Sequence, residues 1–402
     1  MNILVVSQYY YPEPFRINEI CEELVKRKHV VTVLTSNPNY PDGDIYPGYE
    51  NTYKEEQING VNIIRCKCKP RKKGAVNLAR NYISFVINAN RMIKRIDGEF
   101  DCVYAYQLSP VISCIPAIKY KKAKSIPMLL YCLDVWPESL RGSILDKKPI
   151  YNVLGCVSKW IYSNANKLVV SSPSFCDYVS SLCSMEPKDI SFLPQHSKNV
   201  VASDCIPIDL NEYKKYVNFV FLGNIGESQN VECIIKAVAN IKDRSKMKVH
   251  IVGSGSCLEV CKNESKRLCT EDTVVFHGRY PSSKMPLFYA IADVCLVSLK
   301  DNGIVGYTIP GKLQEYMSAG KAVLGCINGD AATIIRSANC GYCVSANDHI
   351  SLAKKMEDMI NNKERLLEYG RNAKNYYYNH FTLDSHVNEL VSVLDKMIEV
   401  SR

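Results

Sequence analysis

Short apolar runs alternate with amphipathic stretches along the whole chain. The runs at residues 2–7, 30–35, 61–66, 102–106, 128–133 and 167–171 carry few polar residues, which predicts strands buried on both faces. Between the first two, Ile17, Ile20, Cys21 and Leu24 recur at helical spacing over residues 16–28. Residues 76–96 repeat that period with Leu78, Tyr82, Phe85, Val86, Ala89 and Ile93. Strands separated by helices describe a parallel sheet with crossover helices, the α/β class.

The rhythm breaks after Leu193, and residues 198–215, with Pro207, read as a linker. It then restarts. Residues 219–222, 249–252, 274–277, 294–299 and 322–326 read as strands, residues 231–241 as a helix, and the chain from 349 onward as helical. The expected organisation is two doubly wound, Rossmann-like parallel-sheet domains. Residues 1–197 form the first and 216–375 the second, with a final segment at 376–402. For two such domains the default ligand site is the interdomain cleft, outside the carboxyl ends of the strands.

Composition narrows the class. The 402 residues are 47% apolar and 23% charged, ordinary for a globular chain and unlike collagen, coiled coil or disorder. The net charge of +9 is too mild to imply a nucleic-acid partner. No signal peptide precedes the first strand and no apolar run reaches transmembrane length, so the chain reads as cytoplasmic. In that compartment the 18 cysteines are expected to be thiols, many of them small core residues. The charge is uneven, at +8 over residues 1–200 against +1 over residues 201–402. Ten cations and no acid lie between Arg65 and Arg95, and Lys119, Lys121, Lys122 and Lys124 follow. Such a stripe suits an anionic membrane surface, and it would place the chain peripherally at the inner face of the plasma membrane.

Candidate chemistry sits where strands end. In the second half, residues 219–222 run into Gly223-Asn224-Ile-Gly226-Glu-Ser-Gln229, and residues 249–252 run into Gly253. Such turns let backbone approach a ligand closely. A helix opens at Thr308-Ile309-Pro310-Gly311-Lys312 and ends at Gly320, and its free N–H groups suit an anion. Glu315, one turn deeper, suits a ribose hydroxyl pair. In the first half, Asp134-Val-Trp136-Pro-Glu138-Ser139 follows a strand, and Tyr9-Tyr10-Tyr11-Pro12-Glu13-Pro14-Phe15-Arg16 forms the first strand–helix junction.

These segments, with Pro38-Asn-Tyr-Pro-Asp-Gly43 and Glu315-Tyr-Met317, resemble the retaining glycosyltransferase family 4. The nearest branch is that of bacterial capsule, O-antigen and exopolysaccharide enzymes, including N-acetyl-L-fucosamine transferases. The resemblance implies the GT-B fold, with a UDP-sugar donor in the second domain and a lipid-diphosphate-linked saccharide acceptor in the first. It also implies a last helix, near residues 386–399, that crosses back to the first domain, and an N-acetylated amino sugar as one candidate moiety. The site it implies has Asp134 and Glu138 as catalytic carboxylates and Tyr11, Glu13, Arg16 and Trp136 on the acceptor side. Donor contacts fall to Gly223, Asn224, Gly226, Gln229, Gly253, Arg279, Thr308, Ile309, Pro310, Gly311, Lys312 and Glu315.

The chain departs from the family pattern twice. Tyr307 stands where a first glutamate is usual, which passes the sugar contact to another group, such as backbone at residues 309–311. The usual Arg/Lys pair for the diphosphate is absent, leaving Arg279 or Lys312 as substitutes. No metal or other cofactor is expected. Asp42-Gly-Asp44 lies in a turn of the first domain, and Cys66-Lys-Cys68 and Cys340-Gly-Tyr-Cys343 lack a second ligand pair at zinc spacing. The alternatives to sugar transfer are a UDP-sugar 2-epimerase of the same fold and a nucleotide-sugar-binding scaffold.

Overall fold

The computed structural model describes residues 1–41, 43–72, 74–140, 148–186, 189–200, 211–301 and 303–401. The chain divides into two units, residues 1–195 with 386–402, and residues 196–385. Along the first unit run β1 (Asn2–Val6), α1 (Ile17–Lys26), β2 (Val30–Ser36), β3 (Lys54–Ile58), β4 (Val61–Cys66), α2 (Ala75–Met92) and β5 (Cys102–Gln107). Then come α3 (Ile115–Lys124), β6 (Met128–Cys132), α4 (Lys148–Tyr162), β7 (Lys167–Val170), α5 (Ser174–Cys183) and β8 (Ile190–Phe192). Among the described residues these strands form one sheet in the order β3-β4-β2-β1-β5-β6-β7-β8. The apolar runs become its centre because both faces are covered: every residue of β5 and β6 is buried.

Two strands of this sheet, β3 and β8, were not expected. β3 pairs antiparallel with β4 at the sheet edge, opposing Glu56 to Ile63 and Lys54 to Arg65. This hairpin corrects the reading of the basic stripe. Arg65 is fully buried, pairs with Glu56 Oε1 at 2.6 Å, and donates to the Tyr11 carbonyl at 2.7 Å. Arg71 lies 4.9 Å from the Tyr40 ring centroid and donates to Tyr9 Oη at 3.2 Å. Neither is a free surface cation. Lys73 and Asp42 lie outside the described residues, as does 201–210 of the expected linker.

The second unit contains β9 (Val217–Leu222), α6 (Val231–Asn240), β10 (Met247–Val252), α7 (Leu258–Arg267), β11 (Val274–Gly278), α8 (Met285–Ile291) and β12 (Val294–Ser298). It continues through α9 (Gly311–Ser318), β13 (Ala322–Cys326), α10 (Gly329–Ser337), β14 (Gly341–Val344), α11 (His349–Asn361) and α12 (Lys363–His380). Its sheet is parallel, in the order β11-β10-β9-β12-β13-β14. Alternate residues of β9 feed two cores: Phe219 and Phe221 pack with α6 and α11, while Val220 and Leu222 pack with α8, α9, α10 and α12.

The last helix, α13 (Leu383–Ser401), returns to the first unit from His386 onward. The changeover lies ten residues later than the sequence boundary at 376. Tyr377 and Phe381 are buried in the second unit's core, and the Tyr377 hydroxyl donates to the Ser197 carbonyl at 2.8 Å. His386 then lies within 2.8 Å of the Pro194 carbonyl in the first unit. Among the described residues no helix is long and apolar enough to cross a membrane.

Candidate functional site

In the second unit the sheet order changes direction between β9 and β12, so the loops after these strands flank the switch point. Gly223 follows β9 at φ +132°, and its N–H donates to the Val252 carbonyl at 2.9 Å. Gly253 has φ +150°, and a Cβ there would sit 1.8 Å from the Gly223 carbonyl oxygen. These two glycines let the loops after β9 and β10 lie against each other. For Gly253 that packing already explains the residue, whereas Gly223 and Asn224 remain exposed. Gln229 closes the same turn: its Oε1 accepts from Asn224 Nδ2 at 3.1 Å and from the Gly226 N–H at 3.2 Å. Gly226 and Gln229 therefore shape the loop.

Helix α9 begins beside this loop. Pro310 is its N-cap and Gly311 its first residue, with Thr308 and Ile309 half-buried ahead of them. What holds α9 there is Tyr316, in its second turn, a residue the sequence reading passed over. The buried Tyr316 hydroxyl accepts from the Leu222 N–H at 2.9 Å, at the very end of β9. Lys312 consequently projects towards Gly223. Its Nζ lies 3.8 Å from the Phe221 ring centroid, and a Cβ at Gly223 would meet it at 3.4 Å. That ammonium is buried and makes no hydrogen bond among the described residues. Burial pushes its pKa down to about 8, opposed in part by Glu315. Glu315 is exposed on the same helix and accepts from Tyr289 Oη at 3.3 Å. The result is a buried cation, a helix N-terminus and an exposed loop converging, with a carboxylate one turn away. Such a set can hold a polyphosphate whose neighbouring group bears hydroxyls.

Arg279 is exposed after β11, two strands from β9 and so about 10 Å from the Gly223 edge by strand spacing. Tyr307 packs over Gly329, where a Cβ would approach its ring to 2.6 Å, and so supports the start of α10.

The first unit has its own switch point, between β1 and β5. Asp134 follows β6 and is half-exposed. One carboxylate oxygen accepts from Ser109 Oγ and the other from Ser139 Oγ, while Trp136 Nε1 donates to Ser109 Oγ at 2.9 Å. Gln107 Nε2 donates to the Asp134 carbonyl at 2.8 Å. Trp136 is thus a buried strut of this frame, with its indole directed inward to Ser109. Tyr11 is partly exposed, and Arg16 donates to Gln195 Oε1 at 3.1 Å.

Two predicted site carboxylates have structural work instead. Glu138 is buried and accepts from the hydroxyls of Tyr151 and Tyr178, bracing its 3-10 turn against α4 and α5. Glu13 is fully buried. Its Oε1 accepts from the N–H groups of Asn39 and Tyr40 at 2.8 and 2.7 Å, and its Oε2 from that of Tyr10 at 3.3 Å. It ties the loop after β1 to the loop after β2. Apolar runs cannot reveal such a tie, because its partners are backbone donors 26 and 27 residues away.

Burial pushes the Glu13 pKa up to about 7, against the three N–H groups that lower it. The native state therefore holds a proton that the unfolded chain releases near 4.5. Stability from this residue is full below 4.5 and is lost as pH rises through about 7, a change on the order of 3 kcal/mol. Thermal melts of wild type and Glu13→Gln across that window should show a fall in wild-type Tm that the variant lacks. Parallel curves would mean the carboxyl is ionised throughout.

Residues 204–376 match the family described as glycosyl transferases group 1. The chain is 27% identical over 259 residues to the probable glycosyltransferase WbjE of Pseudomonas aeruginosa, a match covering 62% of this chain and 63% of that one, just under two thirds of its length. It is 20% identical over 412 residues to O-antigen chain mannosyltransferase C of Escherichia coli, covering 99% of each. Among solved structures, HepE of Anabaena in complex with UDP superposes with a TM-score of 0.73 at 12% identity, over 98% of this chain and 100% of that one. Sucrose-phosphate synthase of Thermosynechococcus elongatus superposes at 0.76 with 14% identity, over 99% of each chain. These likenesses establish the fold as GT-B, with two Rossmann-like parallel-sheet units.

Proposed function

We propose, from a GT-B chain that carries a group 1 glycosyltransferase segment, a retaining enzyme of surface-polysaccharide synthesis. It moves a sugar from a UDP-sugar to a lipid-diphosphate-linked saccharide. The observation that carries the reading is Lys312, a buried ammonium with no hydrogen bond among the described residues, set beside the α9 N-terminus and Gly223. A diphosphate supplies the missing anion. The choice of UDP is supported by structures of this fold that hold UDP and UDP-glucose, and that of a lipid-linked acceptor by the O-antigen relative.

In this reading the bond from the sugar's anomeric carbon to the diphosphate oxygen breaks, and a bond to the acceptor hydroxyl oxygen forms on the same face. The hydroxyl proton passes to the departing diphosphate. Lys312 and the free N–H groups of α9 stabilise the charge that grows on the leaving group, where preorganised donors act most strongly. Glu315 takes the ribose hydroxyls, and Asp134 orients the acceptor.

The test is to incubate the protein with UDP-sugars and a lipid-diphosphate-linked saccharide, following UDP and product. Release of UDP with acceptor glycosylation, the donor's anomeric configuration kept in the product's NMR spectrum, is the expected result. Conversion of the donor without acceptor would indicate the epimerase, and binding without turnover the scaffold. In calorimetry, Glu315→Ala should weaken UDP by about ten- to a hundredfold, the cost of losing hydrogen bonds to a charged group. An unchanged affinity would leave Glu315 as surface.

A further inference from the structure

Right-handed crossovers place α1 on one face of the first unit's sheet and α2, α3, α4 and α5 on the other, with Asp177 of α5 the one carboxylate on those four helices. Contacts agree: α2 touches α3, and both α2 and α4 touch the 3-10 turn at Val111–Cys114. The C-terminal helix joins the α1 side, where Arg27 donates to Asn388 Oδ1 at 2.6 Å. The two layers have opposite charge. Helices α2, α3 and α4 contain Arg80, Arg91, Lys119, Lys121, Lys122, Lys124, Lys148 and Lys159 and no carboxylate. Helices α1 and α13 contain Glu19, Glu22, Glu23, Asp384, Glu389, Asp395 and Glu399 against Lys26 and Lys396.

The cationic layer is also apolar on its outer side. The buried face of α2 holds Phe85, Ala89 and Met92. On the opposite face Val76, Arg80, Ile83, Ile87 and Arg91 recur at helical spacing and are exposed, with Val76 at 65% and Ile83 at 52%. Helix α4 does the same with Ile150, Val153 and Trp160, at 63% for Val153 and 46% for Trp160. Lys122 of α3 lies 5.9 Å from the Trp160 ring centroid, which joins the outer faces of α3 and α4. Scattered exposed aliphatics are ordinary, but two helical stripes framed by unopposed cations are not.

We infer that the outer face of α2, α3 and α4 docks on an anionic phospholipid bilayer, with Ile83, Ile87, Val153 and Trp160 entering the headgroup region and the lysines meeting lipid phosphates. The inference deepens the lipid-linked acceptor reading and rests on it for its purpose, though its measurement does not depend on that reading. A nucleic acid would satisfy the charge but gains nothing from exposed Val, Ile and Trp. A bilayer uses both, in the manner of an interfacial amphipathic helix.

The test is flotation with vesicles of phosphatidylcholine alone or with about a third phosphatidylglycerol. The expected result is capture by the anionic vesicles only, released as salt approaches about 1 M, where the screening length falls to about 3 Å. Lys119→Gln with Lys122→Gln and Lys159→Gln should weaken capture on the order of a hundredfold, at roughly fivefold per cation. Ile83→Ser with Val153→Ser should weaken it without changing the charge. The chain has two tryptophans, and Trp136 is buried, so Trp160 reports contact by a blue shift in emission that Trp160→Phe removes. Equal capture by neutral vesicles, no effect of either variant set, or tighter binding to an oligonucleotide that ignores Ile83→Ser would each overturn the inference. UDP titration of the wild-type protein separates the two readings: capture without UDP binding sinks the donor site alone, and UDP binding without capture sinks the docking face alone.

Discussion

Lys312→Met should stabilise the fold while disabling the proposed donor site. In wild type the Nζ is buried over the Phe221 ring with no hydrogen bond among the described residues, so its charge opposes folding. Methionine keeps the stem and drops the unpaired charge, and the expected gain is about 1–3 kcal/mol, read as a higher Tm. The same change removes the buried cation facing Gly223. UDP affinity should fall by about ten- to a hundredfold and turnover by a further factor on the order of a hundred, since the leaving diphosphate carries more charge than the bound one. Uridine, which lacks phosphate, should bind both proteins alike.

The pH dependence has a definite sign. Burial lowers the ammonium's pKa to about 8, and the diphosphate needs the protonated form. UDP affinity should therefore be flat between about pH 7 and 8 and fall about tenfold per unit above it in wild type, with no such fall in Lys312→Met. A methionine variant that binds UDP as wild type does, with the same pH profile, would falsify the assignment of the diphosphate to this corner.

The residues show why the two kinds of information divide as they do. Continuous apolar runs such as β5 and β6 announce themselves, because burial on both faces removes every polar alternative. Strand β3, Lys-Glu-Glu-Gln-Ile, is mostly polar and lies at the sheet edge, so no apolar period marks it. Missing β3 hides Glu56, and with Glu56 hidden, Arg65 looks like one more unopposed surface cation. The same run that predicts β4 puts Arg65 inside a buried strand, and its neutralisation becomes visible only once the hairpin forms. At the candidate site of the second unit the glycine turns and the Gly311 helix start are legible because each is a local backbone requirement. The Tyr316 hydroxyl on Leu222 spans 94 residues and belongs to no local pattern, yet it sets where α9 stands. Glu138 misleads for the converse reason. Its position beside Asp134 is local, but Tyr151 and Tyr178, which occupy its carboxylate, come from two later helices.

Asp134→Asn should separate chemistry from binding. The carboxylate is held at both oxygens by Ser109 and Ser139, and Trp136 in turn fixes Ser109, so the group is oriented yet half-exposed. A purely structural carboxylate would be buried like Glu13, with its acceptors filled by backbone. Asparagine fits the same frame, because a serine hydroxyl can turn to accept from the new amide as readily as it donates to the lost oxygen. What disappears is the negative charge. In the proposed reaction that charge orients the acceptor hydroxyl and favours the cationic sugar of the transition state, so kcat should fall by about a hundred- to ten-thousandfold. UDP affinity should be unchanged, since the Lys312 corner belongs to the second unit. Ser109→Ala gives a graded control: the carboxylate keeps its charge but loses one of its two side-chain donors, and kcat should drop far less, with a rise in acceptor KM. Loss of transfer, UDP binding and Tm together in Asp134→Asn would instead mark the residue as part of the fold.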